Sequence, residues 1–401
     1  WFNTKINLQP YITSTGTVIV GFKATNSYGN NLYIDNINID TTSSTITDAQ
    51  ITLISQPARH ECRRSLLPSV TIRNNGNDTL TKATIVIRLN NVEVDVINWT
   101  GNILPGNSAN VSGDNITIPA GTQYIVTAFS RDPNGASDMD PFNDTARKIF
   151  FVHDVQEAPL KEGFENATFP PANWAVDASG ADYTWERTTR AADSGVASVW
   201  IRNYRFNSNG KHDDLYTPLL QAEEFDSLYV RFDVAHAMVS PETDVPDTLE
   251  VLITKDCGVT FESLYKKWGA GLQTAPLPPP TFPVGDTVGF VPNATQWRSE
   301  SLNFTESVDT DSEFMILFRN TSHRGNNLFL DNINIQPLIL PAKLKQNGFV
   351  ITPNPFPSTF TIRHLAVPKD LRAVVVMNTA GQIIYRQQIS GTAAQYININ
   401  L

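Results

Sequence analysis

The chain is predicted to be all-β, a set of tandem β-sandwich modules. Three observations carry this. Short runs alternate apolar and polar residues, as in Ser69-Val70-Thr71-Ile72-Arg73 and Gln123-Tyr124-Ile125-Val126-Thr127-Ala128, and period-2 alternation belongs to half-buried strands. Turn clusters such as Asn74-Asn75-Gly76-Asn77-Asp78 and Asp132-Pro133-Asn134-Gly135 separate the runs, and no stretch sustains a helical period. The composition agrees: of 401 residues 41% are hydrophobic and only 17% charged, with 25 Pro and 22 Gly. Pro and Gly punctuate, and the abundant Thr fits a pleated surface.

A repeat organises the ends. Trp1 falls on Trp297 and Phe22 on Phe318 without a gap, and Gly29-Asn30-Asn31-Leu32-Tyr33-Ile34-Asp35-Asn36-Ile37-Asn38-Ile39 lies over Gly325-Asn326-Asn327-Leu328-Phe329-Leu330-Asp331-Asn332-Ile333-Asn334-Ile335. So long a period marks duplicated domains, not a solenoid. Residues 1–40 read as the last strands of a truncated jelly roll, and the chain as a piece of a longer multidomain protein. Residues 41–50 read as a polar linker.

From 51 to 153 about seven strands with regular turns make the pattern of an Ig-like sandwich. Pro68-Ser69-Val70-Thr71-Ile72-Arg73-Asn74-Asn75-Gly76, Trp99-Thr100-Gly101 and Asp138-Met139-Asp140-Pro141-Phe142-Asn143-Asp144 resemble the bacterial adhesion-related CARDB modules. From 160 to 337 a larger β unit suits a complete jelly roll. Its Gly163-Phe164-Glu165, Phe169-Pro170-Pro171-Ala172-Asn173-Trp174, Asp213-Asp214-Leu215-Tyr216-Thr217-Pro218, Lys255-Asp256-Cys257-Gly258 and Leu330-Asp331-Asn332-Ile333 resemble, in order, the choice-of-anchor J and cleaved-adhesin families. That resemblance implies a secreted, MAM-like jelly roll appended to adhesins and proteases. From 347 to 401 a small Ig-like sandwich follows. Pro353-Asn354-Pro355 and a strand–Gly381–strand hairpin resemble the type IX secretion C-terminal sorting domain, expected here without its final strand.

Charge and motifs exclude several functions. Net charge is −10 with no basic run, so nucleic-acid binding has no electrostatic footprint. No apolar run reaches the length of a membrane span. The six histidines (60, 153, 212, 236, 323 and 364) form no His-Glu-x-x-His, and no Gly-x-Ser-x-Gly elbow occurs; no catalytic residue is expected. Cys62 and Cys257, the only cysteines, either bridge two domains in an oxidising compartment or remain buried thiols.

Calcium is the expected cofactor. Hard Ca²⁺ takes several oxygens, and Glu165 near the first strand of the jelly roll, Asp331 in its last and Asp214 between them are the candidate ligands, with Asp35 equivalent to Asp331 in the first copy. The alternative is that Asp331-Asn332 makes a turn or caps a backbone N–H. Trp174, Trp185, Trp200 and Trp297 read as core. Trp268, Phe282 and Phe290, carried by a long Pro-rich loop, read as ligand-binding aromatics, or the loop as cover for an edge strand.

The sequence thus reads as a non-catalytic adhesion or binding region of a secreted or surface-attached bacterial protein. Its expected partners are a carbohydrate or extracellular protein and, through residues 347–401, the type IX translocon. The alternatives are an accessory region of a secreted metalloprotease or other hydrolase, and a structural spacer.

Overall fold

The computed structural model describes the chain except residues 1–3, 13–17, 26–28, 40–44, 120, 179–182, 206–209, 240–246, 277–288, 324, 343–347, 353–357, 366–368 and 391–393. The described residues are almost entirely strand and loop, and they include a four-residue α-helical turn, Gly269–Leu272.

The first sandwich pairs Ala49–Gln56, Ser69–Asn74 and Ser108–Ser112 in one sheet. The other holds His60–Glu61, Thr145–Val152, Gln123–Arg131, Leu80–Leu89 and Val92–Ile103 in that order. Alternation does the sorting: in Ser69–Asn74 every second residue is buried, and Val70, Ile72, Ile85, Ile87, Val126 and Phe150 meet in one core. Asn90 and Asn91, both at positive φ (47° and 68°), join Leu80–Leu89 to Val92–Ile103, the backbone that a two-residue hairpin requires and Asn tolerates.

The second sandwich sets a seven-stranded sheet against a six-stranded one. Glu313–Thr321 is central in the former, pairing with His212–Tyr216, Leu219–Gln221 and Thr248–Thr254. Leu328–Leu338 is central in the latter, between Ser198–Ile201, Leu160–Glu162 and Ser227–His236. Phe232, Phe318, Leu330, Trp174 and Trp185 lie in the core between the sheets, and Trp200 and Phe329 pack on the outer side of the six-stranded sheet. Of the four tryptophans expected in the core, three are buried and Trp297 is partly buried against Phe329.

Among the described residues the C-terminal sandwich has five strands, where three or four were expected. Phe349–Thr352, Thr359–His364 and Tyr396–Asn400 form one sheet, Ala373–Met377 and Ile383–Gln388 the other. The last strand adds Ile397 and Ile399 to the core of Phe360 and Ile362.

Residues 4–39 depart from expectation. Their described part holds no strand, only a 3₁₀ turn at Gln9–Tyr11, and Ile19, Leu32, Tyr33 and Ile39 are exposed. The equivalent segment at Leu328–Leu338 is a strand because three neighbours accept its ladder; among the described residues none does so for 29–39.

Candidate functional site

Of the expected calcium ligands, Glu165 and Asp331 meet at the 193–197 turn and Asp214 lies elsewhere. Asp214 lies on His212–Tyr216 in the seven-stranded sheet, where Arg319 Nε and Nη2 donate to its two oxygens at 2.8 and 2.7 Å. Such a bidentate guanidinium pair satisfies the carboxylate without a metal. Asp331 lies in the other sheet, paired with Asp233. Its Oδ2 accepts the amides of Asp193 (2.9 Å) and Ser194 (3.2 Å), and its Oδ1 that of Asn332 (2.7 Å). Burial nevertheless pushes Asp331 up to about 6, against the lowering effect of those amides.

Glu165 reaches the same turn, accepting the Val196 amide at 3.1 Å on each oxygen. Glu165 and Asp331 are therefore brought together, as staples of the 193–197 turn. That is the capping reading of Asp331-Asn332, and Asp214 has no part in it. Asp35 is exposed and accepts the Asn36 amide at 2.8 Å.

The ligand-binding aromatics also separate. Trp268 is not in a loop: it ends the edge strand Glu262–Trp268 and is exposed. Phe290 is half-buried, packed edge-on against Phe329 at 6.2 Å, so it belongs to a packing cluster with Trp200 and Trp297. Phe282 lies outside the described residues, as do Pro353, Asn354 and Pro355. Gly381 is at φ 80° in the turn before Ile383–Gln388, a backbone open to Gly without strain.

Two clusters were invisible in the sequence. The first joins the sandwiches. Cys62 and Cys257 form a disulfide, Cα atoms 5.8 Å apart, so the bridged alternative holds. Asp256 accepts the amides of Val259 and Thr260 and so holds the left-handed turn (φ 59° at Cys257) that presents the sulfur.

Beside the disulfide, His60 Nδ1 lies 3.0 Å from His153 Nε2, and His60 Nε2 lies 3.2 Å from Asp177 Oδ2. Arg59 Nε donates to both oxygens of Asp177. Tyr216 and Phe151 cover the His60 ring at 4.3 and 5.2 Å. Burial, then His60, drives His153 down to about 3. Burial alone would raise Asp177, but His60 and Arg59 outweigh it and hold the carboxyl at about 2. His153, held neutral, and the ionised Asp177 flank His60 in a buried contact between the sandwiches, and among the described residues no hydroxyl or thiol is bonded to this trio. The neighbouring cleft, lined by Gln123, Phe151, Pro171 and Trp174, holds ≈ 200 Å³, below the usual size of a small-molecule site.

The second cluster is Asp48, Asp138 and Asp144, at one end of the first sandwich, each with an oxygen within 4.8 Å of the others. Burial, then the Asp138 carboxylate, pushes Asp144 up to about 8 and Asp48 to about 6.

No family model matches the chain, and no curated protein matches it. Solved structures similar to it include the K1 cleaved adhesin domain of Lys-gingipain from Porphyromonas gingivalis W83. That match has 14% identity and TM-score 0.32, spanning 45% of this chain and 98% of that one. A structure of carbohydrate-binding modules from the β-sandwich superfamily matches at 14% identity and TM-score 0.30, over 72% and 98%. A CARDB domain from Pyrococcus furiosus, in complex with di-metal ions, matches at 15% identity and TM-score 0.22, over 28% and 97%. Likeness at this level assigns no site and no ligand. Among the described residues no helix is long and apolar enough to cross a membrane.

Proposed function

We propose that this chain is a non-catalytic binding region of a secreted or surface-attached bacterial protein. In this reading its modules are 51–153, 160–337 and 347–401, and the first two act as one rigid presenting unit. The observation that carries it is the Cys62–Cys257 disulfide across the two sandwiches. A bond of this kind persists in oxidising compartments and not in the cytosol, and it fixes the mutual orientation of two modules that the His60–His153–Asp177 contact already joins. Rigid orientation lowers the entropic penalty of engaging an extended partner.

The ligand is a carbohydrate or an extracellular protein. Trp268, exposed on an edge strand beside Lys266 and Lys267, is the residue best placed to stack on a sugar ring. Residues 347–401 serve as the type IX export address.

Glycan-array and matrix-protein binding of the full chain, compared with Trp268→Ala, tests the binding surface. A loss of ten-fold or more with an unchanged melting temperature supports it, and unchanged binding removes Trp268 from it. Fusing residues 347–401 to a signal peptide and fluorescent reporter in a host with type IX export tests the address. Periplasmic retention, as in a control lacking those residues, refutes it.

A further inference from the structure

We infer that the first sandwich carries a calcium site formed by Asp48, Asp138 and Asp144. Asp48 immediately precedes the strand Ala49–Gln56 of one sheet, and Asp144 immediately precedes Thr145–Val152 of the other. Asp138 stands in the connection between Gln123–Arg131 and Thr145–Val152. The three carboxylates, up to 96 positions apart in sequence (144 − 48), thus meet where the sheets come together, with an oxygen of each within 4.8 Å of the others.

Proximity of acidic groups alone would mean little. The decisive observation is an orphan: Asp144 is 8% exposed, yet its buried Oδ1 has no hydrogen-bond partner. Asn143 repeats the pattern. Its Nδ2 donates to both oxygens of Asp48 at 3.2 Å, which places the amide at the cluster, and its buried Oδ1 has no partner.

Asp138 is fixed by the Ala49 amide on Oδ2 and the Asp140 amide on Oδ1, both at 2.8 Å. Asp140, itself buried, adds a fourth carboxylate nearby. Among the described residues no Lys, Arg or His forms an ion pair with any of the four. Buried anions without a counter-charge are strongly unfavourable, and a cation removes the deficit.

The donors identify its class. They are all oxygens, with no imidazole or thiolate, which selects a hard cation over zinc. Three carboxylates drawn from loops suit calcium, which takes six to eight oxygens in flexible geometry and completes its shell with waters. Magnesium keeps most of its waters and uses one or two carboxylates. A bound ion would clamp the two sheets at this end and fix the 46–48 segment, whose backbone already pairs with Asn77, Asn75 and Met139.

The test uses the full, disulfide-bonded chain. Isothermal titration with CaCl₂ should show a saturable site of about 0.1–1 mM, the range of extracellular modules. About 10 mM calcium should raise the melting temperature by about 5 °C over EGTA. Asp144→Asn should melt at about the same temperature as wild type in EGTA, since the amide keeps the size and neutral polarity of the side chain, while losing the calcium-dependent rise. Asp48→Asn should lose it too, and Asp331→Asn should keep it. The inference is overturned if wild type takes up no calcium, if the rise survives in both Asp144→Asn and Asp48→Asn, if Asp331→Asn removes it, or if magnesium at equal concentration matches it.

Discussion

Residues 29–39 and 325–335 carry nearly one sequence and have two fates. Leu328 and Phe329 are fully buried, whereas their equivalents Leu32 and Tyr33 are 72% and 70% exposed. One feature is common to both. Asn36 and Asn332 sit at φ 51° and 50°, and each amide is held by the carboxylate before it, at 2.8 Å from Asp35 and 2.7 Å from Asp331. The Asp-Asn bend is local information, written in two residues and expressed wherever they occur. The strand is not local: it exists only where Ser198–Ile201, Leu160–Glu162 and Ser227–His236 supply the ladder. Strand preference is chiefly preference for a surface to pack on.

The widest break in this symmetry is energetic. Phe329→Ala should destabilise the second sandwich by about 3–5 kcal/mol, the usual loss for a buried aromatic. Tyr33→Ala should stay within about 0.5 kcal/mol; equal effects in chemical denaturation would show that both copies are packed. Next in size, replacing both Cys62 and Cys257 with Ser should cost about 2–5 kcal/mol and separate the melting of the first two sandwiches. Limited proteolysis should still remove residues 1–40 before it cuts 160–337, in wild type and in that variant alike.

Smaller differences appear with pH. The folded Asp331 holds its proton up to about pH 6, while the unfolded carboxyl releases it near 3.9. The folded state therefore gains on acidification between those values, on the order of 2 kcal/mol. Asp331→Asn should lack that gain, and Asp35→Asn should leave the profile unchanged. His153 acts in the opposite sense. Unfolded, it takes up a proton near pH 6.5, which the folded ring refuses down to about 3. Stability is thus lost as pH falls through that window, and His153→Gln should flatten the loss. Profiles of denaturation midpoint against pH for the variants separate the two.

Much of the fold is legible in the sequence because alternation is a local signal. Val70 and Ile72, or Tyr124, Val126 and Ala128, announce which face is buried. The bridge and both buried clusters are not legible, for one physical reason. Cys62 and Cys257 are 195 positions apart, His60 and Asp177 lie in different sandwiches, and Asp48 meets Asp138 only after the sheets close. Asp214 shows the converse: it read as a further oxygen for the cation, but Arg319, 105 positions away, takes both its oxygens. Trp268 read as part of a Pro-rich loop, and its place at the end of an edge strand was not legible.

Amide hydrogen exchange read by mass spectrometry on peptides covering 29–39 and 325–335 of the same molecule tests the central claim, that the sandwich and not the segment makes the strand. The account predicts exchange of 325–335 only through large-scale opening of the second sandwich, and exchange of 29–39 at close to unprotected rates. Comparable protection of the two peptides would contradict it.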